Sequence, residues 1–249
     1  MLAPTLYEDD DILAVAKPAG MVVVPGRDEA PEMCLRQRLE QARREALWVV
    51  HRLDRDTSGV VLFARNAEAH RHLSMAFEHR RVDKTYVALT RGVPSPRDGV
   101  IEAALHTARK GKMRPALPGE PDALEASTAY AVKDAWATAL GAVAYVEVKP
   151  RTGRQHQVRV HLRSIGSPLL VDPLYGRSDA VDGHALGVSP TVSVSRLTLH
   201  AAAIEVPRPR ESGRLRVEAP LADDLTALID ALRSDSGHAS KEHPERAPR

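Results

Sequence analysis

The chain has 249 residues, 43% of them hydrophobic and 4% aromatic, enough for one large domain or two small ones burying well over half of the unfolded surface. The formal net charge is only +2, so a nucleic-acid partner has to be argued from local clusters and not from the overall balance. A single cysteine, Cys34, excludes an internal disulfide and a cysteine zinc site, while the acidic start and the lack of any apolar run near ~20 residues speak against a signal peptide and a membrane span and predict a soluble cytoplasmic protein.

In chain order, Ile12 to Pro18 and Met21 to Pro25 read as two strands joined across Pro18-Ala19-Gly20. Pro31 and Glu32 start an amphipathic helix that runs to Leu47, with Leu35, Leu39 and Ala42 on one face. Two short apolar runs, Trp48 to Val50 and Val60 to Phe63, then read as buried strands. Between them stands His51-Arg-Leu-Asp-Arg-Asp-Thr-Ser-Gly59, with more charge than a plain hairpin tip carries. Asp54-Arg-Asp56-Thr57 superficially resembles the Asp-x-Asp-x-Thr signature of haloacid dehalogenase-like phosphatases, in which magnesium sits beside the attacking aspartate. The spacing fits poorly, because three residues separate Asp54 from the apolar run and Thr57 follows Asp56 directly.

Ala67 to Arg80 has the spacing of a helix; its His70 and His72 point apart, which argues against a metal-ligand pair. Lys84 to Leu89 alternates as a strand, in which Tyr86 taken alone reads as a core tyrosine. Residues 106–121 read as a loop whose Arg109, Lys110, Lys112 and Arg114 suit a phosphate backbone. Strands are expected over Leu124 to Val132 and Ala142 to Lys149. Arg151 to Arg163 holds four arginines and two histidines with no acid; a helix from about Arg154 places His156, Arg159 and Arg163 along one side. Residues 177–195 read as a loop rich in Ser, Gly, Asp and Val whose role the sequence does not give. A strand over Ala202 to Val206 and a helix over Leu221 to Leu232 follow, and the polar stretch 234–249 reads as a disordered tail.

A series of these stretches resembles, in order, the RluA-type pseudouridine synthases: Lys17-Pro-Ala-Gly20, His51-Arg-Leu-Asp54 with Thr57-Ser-Gly59, Lys84-Thr-Tyr-Val-Ala88, the ten positions Thr152-Gly-Arg-Gln-His-Gln-Val-Arg-Val-His161, Asp172-Pro-Leu-Tyr-Gly176 and Leu199-His-Ala201. Departures are small: Val24 replaces the histidine often found before Pro25, and Val171 a common glycine before Asp172. The resemblance implies an α+β catalytic domain over residues 1–233, built on a large, mostly antiparallel mixed sheet with flanking helices and a central cleft, in the short form without an S4-type domain. It implies an isomerase that turns a specific uridine into pseudouridine in structured RNA, a tRNA or large-subunit rRNA stem-loop, as a monomer and with neither cofactor nor metal.

By the same resemblance Asp54 is the nucleophile, Tyr86 and Arg159 complete the catalytic set with Arg159 paired to Asp54, and Leu199 packs on the extruded base. Arg52, Arg154, His156, Arg109, Lys110 and Lys112 would bind the RNA. The chemistry agrees with these residue types. The reaction breaks N1–C1′, rotates the uracil and rejoins it through C5, so it needs an anion kept ionised in a pocket by a neighbouring guanidinium and a base taken out of its stack. A magnesium-dependent aspartyl phosphatase and a non-catalytic RNA-binding module are the alternatives.

Overall fold

The computed structural model describes residues 2–26, 34–176, 178–189 and 191–239, with the backbone alone for Lys110 and residues 236–239. The apolar run Ile12–Lys17 (β2) is buried at five of its six positions, as befits an interior strand. Thr5–Glu8 (β1) pairs antiparallel with one edge of it, and Ser58–Ala64 (β4), buried at every position, pairs antiparallel with the other, Leu13 opposite Phe63. Trp48–Val49 (β3) adds a short strand to β4. Helices Leu35–Arg43 (α1) and Ala67–Glu78 (α2) cover this half, burying Leu35, Leu39, Ala69, Leu73 and Ala76 against it.

The strand expected over Met21 to Pro25 is absent. The Val22 and Val23 carbonyls accept instead from the Leu35 and Arg36 amides, satisfying donors that the first turn of α1 leaves open, and β1 takes the hairpin role. The expected helix start at Pro31 lies outside the described residues.

The second half contains Asp83–Arg91 (β5), Asp98–Glu102 (β6), Ser127–Thr138 (β9), Gly141–Pro150 (β10), Leu199–Pro207 (β13) and Arg214–Glu218 (β14). Together with the first half they make one ten-stranded sheet in the order β1-β2-β4-β13-β5-β10-β9-β6, with β14 also on β13 and β3 on β4. Gln157–Ser164 (α3) seats Val158 and Leu162 against Ala88, Val146 and Val148. Asp223–Ala239 (α5) seats Leu225, Leu228, Ile229 and Leu232 against Leu89, Trp136 and Val143. The α+β class, the mostly antiparallel mixed sheet and the flanking helices are thus as the resemblance implied.

Three stretches differ from expectation. Residues 106–121 are not a simple loop: Leu105–Thr107 (β7) and Met113–Pro115 (β8) form a hairpin around a 3-10 turn at Arg109–Gly111, anchored by Leu105 and Met113 in a small core with Val160 and Tyr175. Within the stretch expected as a loop, Val181–Asp182 (β11) pairs with Ser193–Val194 (β12) as a two-stranded ribbon, and Gly183–Leu186 (α4) adds one turn of helix. Their Val181, Leu186 and Val194 complete the core under α5. Helix α5 continues past Ser234 to Ala239, because a scarcity of apolar residues limits burial and not helicity; residues 240–249 lie outside the described residues.

Among the described strands only β4 and β13 run parallel, joined through His200 opposite Ser58 and Ala201 opposite Gly59. Here the backbones nearly touch. Gly59 has φ +121, and a Cβ on it would overlap the Ala201 carbonyl and amide. Gly59→Ala is therefore expected to destabilise the fold by about 3 kcal/mol or more; a denaturant midpoint unchanged from the parent would refute this close approach.

Candidate active site

The loop 50–57 enters β4 at this seam, and three side chains fix it. Lys17, buried at the end of β2, donates from Nζ to the carbonyls of Pro18 (2.8 Å), Met21 (2.6 Å) and Arg55 (2.8 Å). Burial pulls its pKa down to about 7, against the attraction of Asp56 and Asp54. His51 is a strut: its Nε2 accepts from the Leu62 amide at 2.9 Å and its ring stacks on Phe77 at 4.9 Å. Burial drives its pKa to about 3, so it stays neutral. At the far end Ser58 Oγ lies 2.8 Å from His200 Nδ1 and accepts from Arg196 Nη1 at 2.9 Å, while Arg196 forks onto Asp224 with two bonds of 2.8 Å.

Held between these anchors, Asp54 faces a cleft of about 580 Å³, within the ~300–1,000 Å³ usual for small-ligand sites. Tyr86 of β5, Leu199 at the start of β13, His156 and Arg159 line the same cleft. Tyr86 lies opposite Ala201 in the β5–β13 ladder and packs against both the first core and the α3 core. Burial, reinforced by Asp54, raises its pKa and keeps it a phenol. Asp56 is not among the lining residues, so the paired carboxylates of the phosphatase alternative are not assembled.

Arg159 is bonded first to a different acid from the one expected. Its Nε and Nη2 reach the two oxygens of Asp172 at 2.9 and 2.5 Å, whereas Nη1 is 4.0 Å from Asp54 Oδ2. The physical reason is burial: Arg159 is 3% exposed and needs a buried, planar partner, which Asp172 at 2% provides and Asp54 at 28% does not. Burial works against the charge on Arg159, but the bonds and field of Asp172, then Asp54, outweigh it and raise its pKa.

His156 reaches the site by another departure from the sequence reading. It sits just before α3 in the left-handed region, φ 54, and not in helical line with Arg159. The turn is held by buried Gln157, whose Oε1 accepts from the Arg154 amide (2.9 Å) and the Thr152 hydroxyl (2.8 Å), and whose Nε2 donates to Ser127 O and Thr128 Oγ1. His156 Nε2 is thereby placed 4.0 Å from Asp54 Oδ2.

Arg52 and Arg154 also line the cleft, Arg154 donating to the Glu125 carbonyl at 3.0 Å. Arg109 and Lys112 do not. Arg109 is exposed on the hairpin, and Lys112 is committed to the Leu174 carbonyl at 2.9 Å; the side chain of Lys110 lies outside the described residues. Lining residues missed from sequence include Arg80, Thr57 and Lys84. Strand alternation was the available signal for Lys84, which shares a face with Tyr86 two positions on. Its Nζ donates to Thr152 O at 2.8 Å, and burial lowers its pKa to about 8. The Thr57 hydroxyl is buried without a hydrogen-bond partner among the described residues.

A carboxylate facing a guanidinium, beside an aromatic and an apolar wall and under a rim of cations, suits attack on a flat base carried by a phosphate backbone. Comparison with known proteins points the same way. A sequence profile described as RNA pseudouridylate synthase matches residues 11–164. The ribosomal large subunit pseudouridine synthase D of Nitrosomonas europaea is 36% identical over 245 residues, covering 96% of this chain and 67% of that protein. The dual-specificity RNA pseudouridine synthase RluA of Salmonella typhi is 34% identical over 218 residues, covering 86% of this chain and 91% of that protein. Among solved structures, human RNA pseudouridylate synthase domain containing 4 superposes with a TM-score of 0.69 at 25% identity, over 92% of each chain. The profile spans the strands and helices that carry Asp54, Tyr86 and Arg159, and the relatives exceed 30% identity over most of the chain; the chain belongs to the RNA pseudouridylate synthase family, isomerases acting on RNA.

Proposed function

We propose that this protein converts a loop or bulge uridine in a stem-loop of large-subunit rRNA or tRNA into pseudouridine, with Asp54 as nucleophile. The observation that carries the reading is the placement of Asp54 in one cleft with Tyr86, Leu199 and the Arg159 guanidinium. The uracil enters between Tyr86 and Leu199 once extruded. Asp54 adds to the nucleotide, the N1–C1′ bond breaks, the uracil turns, and C5 bonds to C1′ as the bond to Asp54 is released; the proton lost from C5 is balanced by one taken up at N1. Arg159 and the buried surroundings keep the carboxylate charged for the attack. Arg52, Arg80, Arg151 and Arg154 along the cleft hold phosphates, which position the RNA without reading its sequence.

Two physical arguments favour a loop. An unpaired uridine has already lost part of its stacking and pairing, so flipping it costs less, and the closed A-form major groove leaves sequence reading to single-stranded loops. The test compares a stem-loop with a fully paired duplex of the same strand, each across a salt series. Modification confined to the loop and binding that weakens with salt are expected; equal modification of the duplex, or salt-independent binding, would overturn the reading. Chemical mapping of pseudouridine in total RNA from cells with and without the gene identifies the target.

A further inference from the structure

Behind the cleft, the Met113 amide of β8 donates to the Tyr175 hydroxyl at 2.7 Å, and that oxygen is 2.8 Å from His156 Nδ1. A backbone amide can only donate, so the Tyr175 oxygen is an acceptor at that end. Its own proton then goes to His156 Nδ1, since no other acceptor for it is found among the described residues. Nδ1 is thereby the unprotonated nitrogen of a neutral ring, because the bond made by one imidazole nitrogen decides the state of the other. In that tautomer the proton is on Nε2, the nitrogen that lies 4.0 Å from Asp54 Oδ2.

We propose that Tyr175 is a positioning residue for the reaction: its hydroxyl locks His156 in the Nε2–H tautomer, so that a neutral N–H faces the Asp54 carboxylate. The proposal rests on the reading of Asp54 as nucleophile. A neutral donor orients one carboxylate oxygen while binding it less strongly than a cation would, which leaves the anion available to attack. A shift of about 1 Å on substrate entry brings Nε2 into hydrogen-bond range.

The surroundings support the lock. Tyr175 is 8% exposed, its amide donates to Asp172 Oδ1 at 3.0 Å, its ring lies 5.0 Å from the Arg159 guanidinium, and it meets the His156 ring edge-on. Both donors that face Asp54 therefore depend on the turn 172–175. Burial disfavours the charged imidazolium and lowers the His156 pKa, although Asp54 pulls it the other way. Lys112, next to Met113, fixes the hairpin to the same turn.

The experiment is a mutant cycle on the full chain, assayed for pseudouridine formation in the stem-loop RNA. His156→Gln presents an N–H near the Nε2 position and leaves no tautomer to lock. Tyr175→Phe alone is expected to lower kcat about tenfold with KM for RNA within about twofold. Added to His156→Gln, it is expected to change kcat by less than about twofold, the non-additivity of a residue acting through another. Equal slowing in both backgrounds, or an effect confined to KM, would overturn the proposal. Imidazole ¹⁵N spectra of the wild-type protein, with the His156 signal identified by its loss in His156→Gln, read the tautomer without RNA and without a Tyr175 variant. An Nδ1–H form there overturns the proposal whatever the activity. An Nε2–H form in a protein that modifies no RNA supports the lock and overturns the functional reading instead.

Discussion

Asp54→Asn reduces pseudouridine formation by at least about 10³-fold while folding and RNA binding stay close to the parent; this is the largest catalytic effect expected of any single change. Among the described residues the carboxylate accepts no hydrogen bond from the protein, and its side chain is 28% exposed. Only its backbone carbonyl has a structural task, accepting from the Thr57 amide at 3.2 Å. An amide of the same shape therefore costs the fold about 0.5 kcal/mol at most and removes the charge that attacks. Single-turnover assays on stem-loop RNA, beside thermal melts, check both halves. Turnover above a few per cent of the parent would remove Asp54 from the nucleophile role.

The largest single-side-chain effect on stability is expected at Arg159. Replacing it by methionine leaves Asp172, 2% exposed, as a buried charge without its guanidinium, which costs about 3–5 kcal/mol. The paired change Arg159→Met with Asp172→Asn removes both charges while the amide oxygen still accepts from the Leu174 and Tyr175 amides, and replacing a buried ion pair by neutral groups is often neutral for stability. The double variant should regain most of the stability in a denaturant titration yet stay inactive, because the guanidinium that faces Asp54 at 4.0 Å is gone. Arg159→Lys should be slow as well, since an ammonium cannot fork onto Asp172 and face Asp54 together. Recovery of activity in the double variant would mean that Arg159 serves the fold alone.

Much of the cleft could be read from the chain because its residues sit in contiguous motifs. Asp54, Tyr86, Arg159, Leu199, His156, Arg52 and Arg154 all line it. What escaped is what only three dimensions supply. Asp172 lies 13 positions from Arg159, and no local pattern states that the two pair inside the protein. His156 was placed by helical spacing, but α3 starts one residue later, and a left-handed residue carries no periodic signature. The cluster of cations at 109–114 looked free because sequence shows charge and not partners. In the fold Lys112 is bonded to Leu174 O and Arg114 is paired with Glu120. The strand expected at Met21 failed for a similar reason, the Val22 and Val23 carbonyls being taken by helix amides 13 residues downstream.

The sheet order also constrains how the chain assembles. Strand β13 lies between β4 and β5, yet it follows them in sequence by more than a hundred positions; the Ser58–His200 contact alone spans 142. Contacts of such separation carry a high loop-closure cost and form late. Until residues 199–207 have been synthesised, β4 and β5 each face an open edge, the state most prone to pairing with another chain. The same insertion brings Leu199 to Asp54 and Tyr86, so the nascent polypeptide has no competent cleft until it has closed its own most adhesive edges.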